Sequence, residues 1–316
     1  MAAAHHNEHG RTGIANASAV VRTYAKLAKV RLTLLVVATT AVGFMMAGGP
    51  QGDAATLVWT LLGTGLAAAG SMALNQVLEA DRDARMERTR NRPLPAGDIG
   101  RPAAGIAGAV AAAVGLAVLI VRASVVTALL GLAVVLLYTL VYTPLKPRTP
   151  LCTLVGAVCG AIPPVMGWSA TGAALSFGAW FLAGVLFLWQ IPHFLALAWL
   201  YREDYERGGF RMLPVVDPFG RVTAEMAVLY ALALLPVGVM AAMAGLTGWL
   251  FAATSLGLGL ALVAFALRLA ELRTESVARR LFLATLAYLP LLLGLMVADR
   301  VPVRAVRLAV AALAPR

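Results

Sequence analysis

Residues 54–83 read AATLVWTLLGTGLAAAGSMALNQVLEADRD, an apolar run that ends in amide and carboxylate side chains. A helix needs about 20 apolar residues to cross about 30 Å of hydrocarbon, and residues 54–78 meet that length. The run therefore predicts a transmembrane helix with a polar cluster at one membrane surface. The rest of the chain has the same character, because 60% of its 316 residues are hydrophobic and only 13% are charged.

Further apolar runs of similar length predict an all-α, polytopic membrane bundle of about nine transmembrane helices. We expect a tail at 1–31, a transmembrane domain at 32–298 and a second tail at 299–316. The connections at 79–101 and 201–221 are too short to form a soluble domain, so the chemistry must use the bundle and these loops. The predicted spans cover 32–48, 54–78, 102–121, 124–142, 151–171, 176–200, 222–244, 246–267 and 281–298.

The placement of the basic residues predicts the orientation. With nine spans, 21 of the 26 Lys and Arg residues lie on the side of the N-terminus, whereas the loops of the opposite side hold only Arg122. The positive-inside rule then places the N-terminus in the cytoplasm, which for a bacterial chain means the inner membrane. This distribution explains the net charge of +11 without a nucleic-acid partner. Nine spans also place Arg300, Arg304, Arg307 and Arg316 on the opposite side.

The polar end of the second span carries the first candidate site. Asn75, Glu79 and Asp83 are spaced four residues apart, so on a continuing helix they occupy one face. Hard oxygen ligands of this kind suit Mg²⁺, which takes one or two protein carboxylates and completes its shell with water and phosphate oxygens. Asp81 points elsewhere on an ideal helix. It would join the site only if the helix ended early or a second Mg²⁺ bound from another angle.

A solvated loop is the alternative interpretation of this segment, with acids and arginines paired along a helix for solubility. Asn75 argues for a site, because a polar side chain at membrane depth is costly and tends to be functional. Many basic residues near the acids then indicate a diphosphate ligand. The diphosphate-binding candidates are Arg85, Arg88, Arg92, Lys146, Arg148 and Arg202.

Lys146 and Arg148 belong to a proline-rich junction, TPLKPRTP at residues 143–150. The prolines restrict the backbone, so a basic side chain there would reach a diphosphate with little loss of conformational entropy. The alternative is that both residues are simple positive-inside anchors.

His193 is the only histidine outside the N-terminal tail, and Gln190 and Pro192 precede it within an apolar run. A histidine in such a run is often a hydrogen-bonded core residue. Its polar neighbours make it a candidate to line a cavity. Glu203 and Asp204 follow the same span and are the acids available for a second acidic site.

These segments resemble the intramembrane aromatic prenyltransferase (UbiA-type) superfamily. The resemblance to its first acidic motif lies in Asn75, Glu79, Asp81 and Asp83 and in the sequel MERTRNRPL at residues 86–94. The heme O synthase branch is indicated by that sequel and by PHF at 192–194, DY at 204–205 and MLPV at 212–215. Glu79 departs from the family pattern, which often has Asp there.

The resemblance implies a Mg²⁺-dependent transfer of a farnesyl group from farnesyl diphosphate to the vinyl group of protoheme (heme B), giving heme O. It implies membrane lipid as the surroundings and heme A synthase as a protein partner. The implied catalytic residues are Asn75, Glu79, Asp83, Lys146 and His193. The implied metal ligands are Asn75, Glu79, Asp81, Asp83 and Asp204.

Two other functions remain open at this stage. A prenyltransferase of quinone or chlorophyll pathways would share the fold and the first motif, and the segment from His193 to Asp204 argues against it. A small-molecule transporter would also place polar residues inside the membrane. Its charged residues would line a path between the two membrane surfaces, whereas here they gather on one side.

Overall fold

The computed structural model of the protein describes residues 19–48 and 53–301, and within these ranges the chain is helical. Thr247 and Arg300 form an isolated antiparallel bridge. The predicted all-α fold is therefore confirmed. In chain order the helices are α1 (Ala19–Leu27), α2 (Val30–Met46), α3 (Ala54–Asp83), α4 (Arg101–Arg122), α5 (Val125–Leu145), α6 (Cys152–Ala170), α7 (Phe177–Leu200), α8 (Arg202–Arg207), α9 (Leu213–Val216), α10 (Arg221–Met243), α11 (Trp249–Leu272) and α12 (Glu275–Ala298).

Eight helices of the described part of the chain are long and apolar enough to cross a membrane. The number is nine when α1 and α2, which meet at an angle of 55°, are counted as one span. The protein is thus a multi-pass membrane protein of the predicted kind. One difference from the predicted boundaries concerns the site: α3 continues to Asp83, five residues beyond the predicted end of the span.

Glycines set the close packing of α3 against α4. A Cβ atom on Gly115 would lie 2.5 Å from the backbone nitrogen of Ala67, and one on Gly70 would lie 2.5 Å from the carbonyl oxygen of Gly108. The two backbones are therefore nearly in contact at both points. Lipid offers no hydrophobic driving force between helices, so close van der Waals approach of this kind holds such a pair together.

Glycines also join α2 to α6. A Cβ atom on Gly43 would lie 1.9 Å from the carbonyl oxygen of Pro164, and one on Gly167 would lie 1.8 Å from that of Thr40. Neither position accepts a side chain without moving a backbone. The close contact fixes α2 against the centre of the bundle, which matters because the start of α2 contributes to the site.

Helix α5 contains one π-helical segment, Leu137–Tyr142. The N–H of Thr143 donates to the carbonyl of Tyr138, five residues back, as does its hydroxyl at 2.7 Å. A π-turn adds a residue to the turn and rotates the next residues relative to their positions on a regular helix. The rotation brings Thr143 to α3 and the ring of Tyr142 against Gly156, where a Cβ atom would lie 2.8 Å from the ring.

The connections 84–100, 146–151 and 201–220 gather at one end of the bundle, which we call the basic end. Arg82 donates to the carbonyls of Gly208 and Gly209 there, at 3.2 and 3.0 Å, and the N–H of Arg211 donates to the carbonyl of Lys146 at 2.8 Å. Arg300 is at the opposite end, where it donates to the carbonyl of Met45 at 2.7 Å, as nine spans require. The other basic residues of the C-terminal tail lie outside the described residues.

The glycine contacts predict that alanine substitutions at two positions of α4 have different effects on stability. Gly115→Ala should lower the melting temperature of the purified protein, because the new methyl group meets backbone and overpacking costs about 1–3 kcal/mol. Gly105→Ala, on the same helix, meets nothing within 4 Å and should leave stability unchanged or slightly raised. Equal melting temperatures for the two variants would contradict the packing described for α3 and α4.

The arrangement of the ends predicts which positions an impermeant thiol reagent reaches. Single cysteines at Arg90 and Arg211 should be labelled only from the cytoplasmic side, and one at Asp53 only from the other side. All three positions are exposed, whereas the native Cys152 and Cys159 are buried and should give little background. Labelling of positions 90 and 211 from opposite sides would exclude a single site built from both loops.

Candidate functional site

Three oxygen-bearing side chains line one face of α3 at the basic end. Asn75, Glu79 and Asp83 are 0%, 4% and 1% exposed, so this row of side chains, the acid row, is almost completely shielded from solvent. The row exists because α3 continues to Asp83 with regular helical geometry, which keeps residues four apart on one face. Buried carboxylates are unstable unless each is neutralised by a partner.

Each member of the acid row has a cationic partner from a different segment. The ammonium of Lys146 lies 2.7 Å from Glu79 Oε1, and the guanidinium of Arg92 lies 2.7 Å from Asp83 Oδ2. Both side chains of the Glu79 pair are largely buried, so this ion pair is shielded from solvent. Two acids and an amide are thus surrounded by cations in a nearly dry environment.

Lys29 supplies a third basic side chain, donating to Asn75 Oδ1 at 2.9 Å, and the sequence did not predict this residue as part of the site. It lies between α1 and α2 in the left-handed conformation, with φ of 45°, which is uncommon for a residue with a side chain. Strained backbone of this kind tends to occur at functional sites. A basic residue just before a first span resembles an ordinary positive-inside anchor, so the sequence offers no separate signal for it.

Asn75 joins α3 to two other elements. Its Oδ1 accepts from Lys29, and its Nδ2 donates to the hydroxyl of Thr143 at 2.9 Å. Thr143 follows the π-helical segment of α5, so the register of α5 decides whether this bond forms. The amide therefore fixes the start of α2 and the end of α5 relative to the acids.

Aromatic rings surround the ammonium of Lys146. It lies 4.5 Å from the ring centre of Tyr142 and 5.8 Å from that of Phe210. Burial alone would lower the pKa of Lys146, but the neighbouring Glu79 carboxylate outweighs burial and raises this pKa above its ordinary value. Lys146 is consequently charged at neutral pH, and the rings contribute cation–π attraction.

A cavity of about 400 Å³ opens between α3 and residues 143–148. Glu79 lies in its wall together with Arg82 and Arg148. The predicted ligand Arg148 is thus close to the acid row, across a space large enough for a small anion. Cationic side chains on two sides make this cavity suited to phosphate groups.

The remaining predicted basic residues lie elsewhere at the basic end. Arg85 is exposed, and Arg88 stacks on Tyr201 with its guanidinium carbon 4.9 Å from the ring centre. Arg88 and Arg202 line a second cavity of about 410 Å³. The structure does not bring these three arginines to the acid row.

Asp81 is also kept apart from the acid row. Its side chain is 79% exposed and pairs with Arg101 on the outer surface of α3. The helix does not end early, so the condition under which Asp81 would join the row is not met. The structure supports the acid row as Asn75, Glu79 and Asp83 alone.

His193 packs deep in α7 between two aromatic rings. The imidazole stacks on Trp189 and on Phe282, with both centroid distances at 5.0 Å. Its Nδ1 lies 2.9 Å from the hydroxyl of Thr285, and that hydroxyl donates to the carbonyl of Phe282 at 2.6 Å. The network therefore assigns the proton to Nδ1 and leaves Nε2 with a free lone pair. An imidazole in this tautomer is suited to bind a metal through Nε2.

Asp204 is buried, and both of its oxygens accept hydrogen bonds from backbone N–H groups of the 84–100 loop. Burial would raise its pKa, but hydrogen bonds from Arg207 and from these N–H groups lower it below the ordinary value. In the described part of the chain no three His, Cys, Asp or Glu side chains form a metal-binding group. The structure thus gives the predicted second acidic site no set of ligands.

The acid row does suit a metal of the magnesium type. It offers two carboxylates and an amide oxygen, which are hard ligands, and Glu79 also lies in the wall of the cavity between α3 and residues 143–148. Mg²⁺ commonly binds with only one or two protein carboxylates when phosphate oxygens complete its shell. The donor set therefore fits Mg²⁺ in the presence of a phosphate ligand.

Comparison with known proteins agrees with this geometry. The UbiA prenyltransferase family matches residues 36–289. One relative, described as protoheme IX farnesyltransferase from Solibacter usitatus, is 41% identical over 293 residues, which cover 89% of this chain and 99% of the relative. Relatives from Koribacter versatilis and Opitutus terrae carry the same description at about 40% identity.

Solved structures show the same fold at low sequence identity. A digeranylgeranylglyceryl phosphate synthase superposes with a TM-score of 0.74 at 13% identity, covering 88% of this chain and 98% of that one. A UbiA homologue from Archaeoglobus fulgidus, solved with GPP and Mg²⁺ bound, superposes with a TM-score of 0.63 at 16% identity, covering 87% and 99%.

Proposed function

Because the chain belongs to the UbiA prenyltransferase family, we propose that it transfers a farnesyl group from farnesyl diphosphate to the vinyl group of protoheme, giving heme O. The observation that carries the proposal is the acid row with its three basic partners at the basic end. The description of relatives about 40% identical over most of the chain supports protoheme as the acceptor.

The basic side chains of the site are available to bind the diphosphate. Lys146, Arg92 and Lys29 are now paired with Glu79, Asp83 and Asn75. Binding of a metal diphosphate would exchange these pairs, since the acids would turn to the metal and the cations to the phosphate oxygens. No charge would be left unpaired in the buried site, which keeps the exchange energetically feasible.

Asn75, Glu79 and Asp83 are the residues that would hold Mg²⁺. When bound, Mg²⁺ supplies electrostatic neutralisation of the diphosphate as a leaving group. The chain's own contribution is to hold Lys146 and Arg92 beside the phosphate oxygens, where negative charge increases as the allylic C–O bond breaks. A homologue of the same fold, solved with GPP and Mg²⁺ bound, supports a Mg²⁺-dependent reaction.

The steps that form the new C–C bond and add water require few protein side chains. As the allylic C–O bond breaks, the vinyl carbon of protoheme bonds to the allylic carbon, and water then adds to the new cation with loss of a proton. The rings of Tyr142 and Phe210 lie around Lys146 and offer π faces to a transient cation. Neither step needs a strong general base.

His193 would contact protoheme. Its Nε2 has a free lone pair, as a ligand of heme iron requires, and the stacked rings of Trp189 and Phe282 make the surroundings of the imidazole apolar. The residue is seven positions from the end of α7 at Leu200, about 10 Å along the helix at 1.5 Å per residue. The acceptor would thus reach deeper into the bilayer than the diphosphate.

The charge distribution disfavours a transporter. Ionisable side chains of the site gather at the basic end and do not form a path to the opposite end among the described residues. The proposal includes a cytoplasmic basic end, an inner-membrane location, surrounding lipid and heme A synthase as a partner. The direct test of the reaction is the mass of heme extracted from membranes that contain the protein, with addition of one farnesyl group and one hydroxyl group as the expected result.

Removal of single charges from the acid row should abolish most activity. Glu79→Gln and Asp83→Asn should each lower turnover by a factor of about 100 or more, because each removes a metal ligand. Turnover is measured as heme O formed per amount of inserted protein. Stability should fall as well, since Lys146 or Arg92 is left buried without its partner.

Asp81→Asn is the matched control, because it makes the same chemical change on the same helix at an exposed position. Its turnover should remain near that of the parent protein. Equal loss of activity in Asp81→Asn and Asp83→Asn would exclude the assignment of the acid row.

Replacement of His193 should separate the two substrates. His193→Ala should abolish heme prenylation and change the absorption spectrum of bound heme, while farnesyl diphosphate still binds in the presence of Mg²⁺. Both quantities are measured on the same purified variant. Thr285→Val keeps the imidazole but removes its hydrogen-bond partner, so a smaller spectral change is expected. Loss of diphosphate binding with an unchanged heme spectrum would assign His193 to the other substrate.

A further inference from the structure

Asp204 has almost no capacity left to bind a metal. Its Oδ1 accepts the N–H of Glu87 at 3.0 Å and the guanidinium of Arg207 at 2.5 Å, and its Oδ2 accepts the N–H of Arg88 at 3.0 Å. A carboxylate offers about four lone-pair positions, so three are already used by protein donors. The residue is 5% exposed, and it lies in the wall of the second cavity together with Arg88 and Arg202.

The two N–H donors belong to the segment that brings Arg92 to the acid row. Thr89, which follows directly, is 1% exposed and donates its hydroxyl to the carbonyl of Asp83 at 2.9 Å. Arg92 then pairs with the Asp83 carboxylate at 2.7 Å. A short, continuous set of contacts therefore leads from Asp204, through residues 87–92, to a cation of the site.

Further contacts hold the same two segments together. Met86 is buried and packs under Gly208, where a Cβ atom would lie 2.9 Å from the methionine sulfur. Arg82 donates to the carbonyls of Gly208 and Gly209. Several contacts therefore hold residues 82–88 against residues 204–209. The hydrogen bonds of the buried Asp204 carboxylate are among them.

The surroundings of Asp204 also argue against a second metal. The groups in contact with its oxygens are two N–H donors and a guanidinium, all of which are positive or partly positive. Glu87, Glu203 and Glu275 line the same cavity, but among the described residues no three acids are placed to form a metal-binding group. Glu87, whose N–H is one of these donors, has its carboxylate turned toward Arg207 at 4.0 Å. A divalent cation would have to displace these donors without gaining a set of protein ligands.

We infer that Asp204 is a positioning residue, whose carboxylate clamps the backbone of residues 87–88 so that Arg92 is held beside Asp83 and the diphosphate. The inference rests on the proposed function for the role of Arg92, and it replaces metal binding as the role of Asp204.

The test uses the full-length purified protein carrying Asp204→Asn. An asparagine keeps the size of the side chain but turns an N–H donor toward one of the backbone N–H groups. Backbone hydrogen exchange in residues 84–92 and the KM for farnesyl diphosphate should each rise by about tenfold, as loss of a hydrogen bond to a charged group predicts. The Mg²⁺ concentration for half-maximal activity at saturating diphosphate should not change.

Glu206→Gln is the matched control, because it removes another acid of the same short helix at an exposed position. It should change neither the exchange nor the KM. Unchanged exchange in Asp204→Asn, together with a Mg²⁺ requirement raised by about tenfold or more, would overturn the inference and make Asp204 a metal ligand.

Thr89→Val provides an independent variant if Asp204→Asn does not fold. It breaks the link between Thr89 and Asp83 without touching Asp204, so the KM should rise again with an unchanged Mg²⁺ requirement. An unchanged KM would contradict the set of contacts described.

Hydrogen exchange and calorimetric binding of inorganic pyrophosphate need no protoheme. If the parent protein forms no heme O, the proposed function fails, while these two measurements still decide the role of Asp204. Exchange and pyrophosphate affinity that are both unaltered in Asp204→Asn would contradict the clamp, whatever the reaction.

Discussion

Two carboxylates buried at the end of a membrane helix must be neutralised, and much of the basic end is arranged to meet this requirement. Glu79 and Asp83 lie almost completely out of solvent, where an unpaired charge is destabilising by several kcal/mol. Their partners Lys146 and Arg92 come from two separate connections. The ion pairs therefore fix these connections relative to α3, and in doing so they form a site with both ligands for a metal and cations for a diphosphate.

The features predicted correctly from the sequence depend on local periodicity. Membrane spans were found from apolar runs of sufficient length, and the shared face of Asn75, Glu79 and Asp83 results from the helical repeat of 3.6 residues. Asp81 was expected to point elsewhere on a regular helix, and it does so because α3 continues past it. These results depend on the residues of one segment only.

The features that the sequence did not predict depend on contacts between distant segments. The sequence gives no signal for Lys29 as a site residue, because its contact with Asn75 spans 46 residues and requires a bend between α1 and α2. Two of the three donors to Asp204 are backbone N–H groups more than 100 residues away, and a backbone donor cannot be identified from the residue type. Arg88 and Arg202 carry the right charge, yet the fold directs them to a different cavity.

Because of the π-helical segment, the geometry of the site depends on the number of residues in α5. One residue corresponds to about 100° of rotation in a regular α-helix, so the extra residue in Leu137–Tyr142 determines which way the following side chains face. Thr143 and Lys146 both follow it and both contact α3. A change of residue type within the π-turn would leave this register intact, whereas an insertion or deletion of one residue would turn the threonine and the lysine away together. The spacing between Val125 and Lys146 is therefore constrained independently of the identities of the residues between them.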